Sequence, residues 1–242
     1  MKHDQPEHEV NALGQPIGAL VDGWKTPDRP SAEPMVGHYC RLERLDADRH
    51  AAFLWEGACL DPEGRNWTYS PPNMPADEAG MHVLVANQAK STDPYYFAIC
   101  DLETGDALGW ATFMRIDPDA GSIEVGSIHY TPKLQRQRAG TEAMFLMMQR
   151  AFDELGYRRY EWKCHALNAP SRAAALRYGF TFEGIHRQAM MLRGRNRDTA
   201  WYSILDREWP RVRQAFEAWL SDDNFDEAGL QKRSLSAIRA TL

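Results

Sequence analysis

A mixed α+β domain is the fold class this sequence predicts, and three observations carry that reading. Strand-like and helix-like runs interleave in the order β-α-α-β-β-β-α-β-α-β-β. The second half passes from strand to helix and back by crossovers, the connection that parallel neighbours in a mixed sheet need. The chain has 242 residues and is 43% apolar, enough to bury a core under such a sheet.

Each element follows from local signals. Residues 1–36 carry Pro6, Pro16, Pro27, Pro30 and Pro34 and read as an extended N-terminal arm. Residues 37–45 read as a first strand, and Asp46 suits the N-cap of a helix reaching residue 59. A Pro- and Asn-rich loop over 61–76 leads to a second helix over 77–90. Strands over 95–101 and 108–116 are joined by a turn at Glu103-Thr104-Gly105-Asp106. A strand over 121–130 precedes a basic loop and an amphipathic helix over 141–155, which Gly156 stops. A strand over 159–165, a helix over 168–178 ended by Gly179, and a hairpin of 180–192 with 198–205 follow. A helix over 209–220 and a polar tail close the chain, so the domain proper spans 37–209 and the C-terminal helix and tail 210–242.

The net charge of -6 argues against a nucleic-acid partner. Cys40, Cys59, Cys100 and Cys164 are widely spaced, with no metal-ligand pattern, and read as reduced thiols of a cytoplasmic protein. The first residues are polar and acidic, without the apolar core of a signal peptide, and no apolar run is long enough to span a membrane. The arms at both ends could bridge two copies into a homodimer.

The loop between residue 130 and the following helix is the most informative stretch. A strand, a loop bearing Lys133, Arg136 and Arg138, and a helix N-terminus make a cradle for an anion. A polyphosphate-bearing cofactor is its natural guest.

This order of elements, with that loop in that place, resembles the GCN5-related N-acetyltransferase (GNAT) superfamily over residues 37–209. The segments 122–130 (SIEVGSIHY), 141–143 (TEA), 168–171 (NAPS), Gly179-Phe180 with Glu183-Gly184, and 195–201 (RNRDTAW) look closest to its RimJ/RimL branch. Members of that branch acetylate protein N-termini and other amines. The superfamily's pyrophosphate motif, Gln/Arg-x-x-Gly-x-Gly/Ala, falls on Gln135-Arg136-Gln137-Arg138-Ala139-Gly140. Gln135 and Gly140 match, but Arg138 stands at the middle glycine. Its side chain must turn away or pair with a phosphate, and the second is the expectation.

The resemblance implies the acyl-CoA N-acyltransferase fold, a central mixed, mostly antiparallel twisted sheet flanked by helices, with acetyl-CoA as cofactor. Amides from Gln135 to Gly140, with Arg136, Gln137, Arg138 and Ala139 between them, and Thr141 at the helix start would take the pyrophosphate. The backbone of Ile128, His129 and Tyr130 would pair with the pantetheine arm as a short extra strand. Asn168 would meet that arm and Ser171 the sulfur, although Asn168 also suits a helix cap. Many members carry a tyrosine acid where this chain has Ala175, so Ser171, one turn earlier, is the candidate for supporting the leaving sulfur.

An alkyl amine is mostly protonated at neutral pH, so transfer to it needs a base. Glu124, interrupting an apolar strand, is the first candidate and His129 the second. Regular alternation sets the two on opposite faces unless a bulge intervenes. Trp67, Tyr69, Trp110, Arg195, Asp198 and Trp201 are candidates for the acceptor side, and Met144, Met147 and Met148 read as core. The expected activity is transfer of an acetyl group from acetyl-CoA to a protein N-terminus or small-molecule amine, by direct attack in a ternary complex. A non-catalytic CoA-binding sensor or scaffold, a donor such as succinyl-CoA, and an antibiotic or polyamine acceptor remain open.

Overall fold

The computed structural model describes residues 8–242. The first residues of the arm, with Pro6 and the segment expected to be no signal peptide, lie outside the described residues. His8–Val10 (β1) and Pro16–Gly18 (β2) form a small antiparallel hairpin. The remaining strands are Met35–Val36 (β3), Cys40–Arg44 (β4), Tyr95–Asp101 (β5), Ala107–Asp117 (β6), Ser122–Tyr130 (β7), Arg159–His165 (β8), Thr181–Leu192 (β9) and Arg195–Leu205 (β10). They build one eight-stranded sheet in the order β3-β4-β5-β6-β7-β8-β10-β9. Every neighbouring pair is antiparallel except β7 and β8, which run parallel. The mixed, mostly antiparallel sheet is the one expected.

Helices cover the two faces. Ala47–Cys59 (α1), capped by Asp46, and Glu78–Ala89 (α2), capped by Asp77, lie on one face over Tyr96, Ala98 and Trp110. Arg138–Gln149 (α3) and Trp209–Leu220 (α5) lie on the other, where Phe145 and Phe216 stack with ring centroids 5.3 Å apart above Phe97, Phe113 and Ile123. Ala169–Tyr178 (α4) and Leu235–Arg239 (α6) complete that layer. Met144, Met147 and Met148 are buried there, as the helical spacing requires.

Three local expectations change. Met35–Val36, assigned to the arm, joins the sheet as its edge strand against β4. The C-terminal segment is not only a polar tail, because Leu235 and Ile238 of α6 enter the core. Helix α3 begins at Arg138 rather than at 141, because Gln137 adopts the extended backbone of an N-cap (φ -89°, ψ 156°). Its last turn widens into a π-helical turn over Arg150–Glu154.

Glu142 ties the N-terminal edge to α3. Its buried carboxylate accepts the amides of His38 (2.7 Å), Tyr39 (2.7 Å) and Cys40 (2.9 Å), donors that a sheet edge would otherwise leave open. Glu142→Ala orphans all of them at once. It should lower unfolding free energy by about 3 kcal/mol, read as a drop in the denaturation midpoint; an unchanged midpoint would contradict the anchoring role.

Candidate active site

Strands β7 and β8 begin as partners and then part. Their register runs from Ser122↔Arg159 to Val125↔Trp162 and stops there, although β7 continues to Tyr130 and β8 to His165. Beyond this fork β7 keeps its bonds to β6, pairing His129 with Trp110 and Tyr130 with Gly109. Its other edge, over residues 126–130, is open on the β8 side. A bulge sits at the fork: Ser127 and Ile128 together oppose Ala111, and Ser127 takes φ 44°. Ile128, His129 and Tyr130 are therefore placed where an extended chain could add as a strand.

The cradle expected from the sequence lies at the end of β7. No side chain caps the N-terminus of α3, so its first-turn amides are orphan donors facing the loop. Arg136 is the left-handed residue of the loop (φ 63°), while Arg138 is ordinary first-turn helix. Gly140 is required by packing. A Cβ there would lie 2.9 Å from the Tyr130 ring, whose hydroxyl donates to Gly140 O at 2.7 Å. Gln135 Nε2 donates to Tyr130 O and Asn66 Oδ1, each at 3.0 Å, tying the loop to residues 61–76. Thr141 is buried, and its hydroxyl accepts from Arg177.

The Arg138 side chain takes the course not expected. Its guanidinium lies over the Phe225 ring, 3.4 Å from the centroid, donates to the Tyr39 hydroxyl at 3.2 Å and pairs with Asp222 at 3.1 Å. The residues that hold it come from the C-terminal segment and from the turn between β3 and β4. No local sequence pattern links these to the loop.

The bulge brings Glu124 and His129 to one face. Glu124 pairs with Met114 and His129 with Trp110, and Trp110, Thr112 and Met114 alternate regularly along β6. Glu124 is 3% exposed, with Oε2 2.9 Å from Lys163 Nζ and 3.4 Å from Arg115 Nε. Burial raises its pKa to about 7, against the opposing pull of Lys163 and Arg115. His129 is 4% exposed between the rings of Trp110 (4.4 Å) and Trp67 (4.3 Å). Burial lowers its pKa to about 4, so it is neutral at physiological pH and packed as an apolar ring. Of the two candidates, Glu124 is the one whose protonation changes near neutral pH.

Asn168 is the N-cap of α4, its Oδ1 accepting the Ser171 amide at 3.2 Å. The Ser171 hydroxyl, half-buried, accepts from Trp162 Nε1 at 3.1 Å, at the point where β8 leaves β7. Ala175 is fully buried, and Tyr178 is buried beside Tyr130. Trp110 belongs to the core, whereas Trp201 lines an open groove with Arg115 and Glu161. Tyr69 donates to Leu167 O and packs on His165. Arg193, missed by sequence reasoning, donates to the carbonyls of Trp67, Ser70 and Pro72 and locks the 61–76 loop to the β9–β10 hairpin. Arg195 sits beside it, and Asp198 accepts the Gln188 amide.

Among the described residues, one trio could ligate a metal: Glu43, His50 and Cys100. Its bonding is that of a structural network. His50 Nδ1 accepts the Asp46 amide, which leaves Nε2 to donate to Glu43 at 2.9 Å, and Glu43 already pairs with Arg41 and Arg49. No helix among the described residues is long and apolar enough to cross a membrane.

The forked β7–β8 pair and the uncapped start of α3 set an open strand edge beside a run of orphan amides, and the comparisons assign this arrangement to a family of acyltransferases that use acyl-CoA. The family model described as an acetyltransferase (GNAT) domain matches residues 40–181, and the chain belongs to that family. A GCN5-related N-acetyltransferase from Brucella melitensis is 46% identical, with a TM-score of 0.88 over 91% of this chain and 100% of that one. A probable acetyltransferase of the GNAT family from Chromobacterium violaceum is 38% identical, with a TM-score of 0.75 over 81% of this chain and 98% of its own. RimL, described as a ribosomal L7/L12 alpha-N-protein acetyltransferase, shares the fold at 20% identity and a TM-score of 0.60, over 72% of this chain and 94% of that one. No curated protein matches the chain.

Two outcomes follow from this geometry. Arg138→Ala should leave CoA affinity within about threefold and lower thermal stability by loosening the C-terminal segment; a tenfold or greater weakening in a calorimetric titration would show that the guanidinium reaches the phosphates instead. Adding CoA should slow hydrogen exchange at amides within 126–130 and 136–141; exchange unchanged there would remove the open edge and the helix start from the binding surface.

Proposed function

We propose that this protein is an acetyl-CoA-dependent N-acetyltransferase of the RimJ/RimL type, acting on a primary amine. The observation that carries the proposal is a buried carboxylate, Glu124, on the strand whose outer edge is left open by the fork. The residues present suit CoA. The open edge of 126–130 offers backbone bonds to a pantetheine arm, and the amides of residues 136–141 offer donors to a pyrophosphate. Asn168 and Ser171 stand on the β8 side of the same opening.

Acetyl-CoA held there would supply the thioester, its acyl group passing to the amine with a C–N bond in place of the C–S bond and release of the thiol. The chain's part is to orient, to accept a proton and to support charge. An amide on the open edge of β7 polarises the carbonyl oxygen. Glu124, as carboxylate, takes the proton of the attacking amine directly or through water. The Ser171 hydroxyl, already accepting from Trp162, has its own proton to donate to the departing sulfur. Lys163 holds Glu124 ionised against burial, so the base form prevails above about pH 7.

The donor is tested by titrating the protein with acetyl-CoA, succinyl-CoA and free CoA in a calorimeter. One-site binding with acyl release to an amine supports the reading, and binding without release to any amine supports a CoA sensor instead. The base is tested by the pH profile. kcat/KM should rise with pH through a step near 7, because the deprotonated carboxylate is the active form. Glu124→Gln should lower kcat by roughly a hundredfold and erase that step with little change in CoA affinity. A profile identical in the two proteins would remove Glu124 as base.

A further inference from the structure

Beside Glu124 the sheet face opens into a groove of about 390 Å³ lined by Asp93, Arg115, Asp117, Ser122, Glu161 and Trp201. We infer that this groove takes a free amino acid as the acyl acceptor, with its amine at Glu124 and its carboxylate on Arg115. The inference rests on the acyltransferase reading above and names the substrate class for it.

Two buried polar atoms beside the groove lack a hydrogen-bond partner, the acceptor Glu124 Oε2 and the donor Trp201 Nε1. The other carboxylates of the groove each hold a neighbouring group in place. Asp93 accepts the Arg115 amide at 2.7 Å and the Ile116 amide at 3.1 Å. Asp117 accepts the Ala120 amide at 3.0 Å, and Glu161 accepts from Arg159 at 2.6 Å. Glu124 faces Lys163. The guanidinium of Arg115, by contrast, has Glu124 at 3.4 Å as its ion-pair partner, and 54% of the side chain is exposed. The indole N–H of Trp201 is buried with no hydrogen-bond partner. A ligand bearing an anionic acceptor group satisfies these donors, and a guanidinium presents its donors in the fork a carboxylate fits.

Arg115 is placed there by a second bulge. Arg115 and Ile116 together oppose Ile123, and Arg115 takes φ 48°, a left-handed backbone that costs energy for a residue with a side chain. Asp93 holds the two amides of that turn. Regular alternation would turn Arg115 away from Met114 and Glu124; the bulge instead sets it beside Glu124 and over the Trp201 ring, 5.3 Å from the centroid. This arginine is aimed rather than loose.

Two cations beside Glu124 separate a bare amine from an amino acid. Asp93, Asp117 and Glu161 along the groove draw an ammonium in, but at Glu124 itself it meets both Lys163 and Arg115. A zwitterion brings its own carboxylate, which draws Arg115 off Glu124 as the ammonium arrives. With Arg115 Nε 3.4 Å from Glu124 Oε2, the two recognition points are a few bonds apart, as in an α-amino acid. A peptide N-terminus lacks that carboxylate, because its carbonyl is spent in the next amide.

The test compares the free amino acids with their decarboxylated amines and with dipeptide amides as acceptors, in the wild type and in Arg115→Asn. Asn is chosen because it tolerates the left-handed backbone. Amino acids should be preferred by roughly tenfold or more in kcat/KM, and Arg115→Asn should collapse that ratio towards one, with partial rescue in Arg115→Lys. The ratio cancels any effect of the substitution on Glu124. In parallel, amino-acid binding to the CoA-loaded protein should be measurable by calorimetry and lost in Arg115→Asn. Equal transfer to decarboxylated amines or to dipeptide amides overturns the amino-acid assignment and leaves the acyltransferase reading intact. Amino-acid binding through Arg115 without transfer to any acceptor overturns the acyltransferase reading and keeps the site. Neither binding nor transfer overturns both.

Discussion

The candidate site depends on one parting of strands. β7 is held by β6 along its whole length, but β8 follows it only as far as Val125↔Trp162. In a sheet, an unpaired edge in the middle is costly, because backbone donors and acceptors lose their partners. The fold keeps this one because both flanks are fixed elsewhere. β7 runs into the loop that starts α3, and β8 is held on its far side by seven residue pairs with β10. The bulge at Ser127 adds local twist just where the strands separate. The open edge and the uncapped helix start then face the same space, and both offer amide donors.

The same bulge decides which side chains share that space. Without it His129 would lie on the face opposite Glu124. With it, His129 enters an aromatic layer with Trp67 and Trp110, and burial keeps it neutral. Glu124 is left as the titrating group, buried enough to resist ionisation and close enough to Lys163 to achieve it near neutral pH. A buried carboxylate beside one lysine is a poor way to gain stability, since desolvation offsets the attraction. It is an effective way to hold a carboxylate whose proton exchanges near neutral pH, which is what the proposed base needs.

The departures from the family motif have structural counterparts. Arg138, at the place of a glycine, is ordinary helix, and its side chain is taken up by Tyr39, Asp222 and Phe225. A side chain that would crowd an anion site is thus drawn towards the C-terminal segment. Ala175 leaves no tyrosine acid, and Ser171 on the same helix has a hydroxyl facing the β8 side of the opening.

The order of elements, the caps at Asp46 and Asn168, the stops at Gly156 and Gly179 and the buried methionine stripe were legible in the sequence, because each depends on neighbours within a few residues. The basic loop before α3 was legible for the same reason, and so was the family resemblance that rests on short segments in order. What the sequence could not give was every feature made by residues far apart in the chain. The side of the sheet that Glu124 and His129 share depends on a bulge whose extra residue is counted against Ala111 on another strand. The course of Arg138 depends on Asp222 and Phe225, and the aim of Arg115 depends on Asp93. Local pattern sets which elements form; the pairing of strands and the packing of distant side chains decide which groups meet, because those energies exist only once the chain has closed on itself.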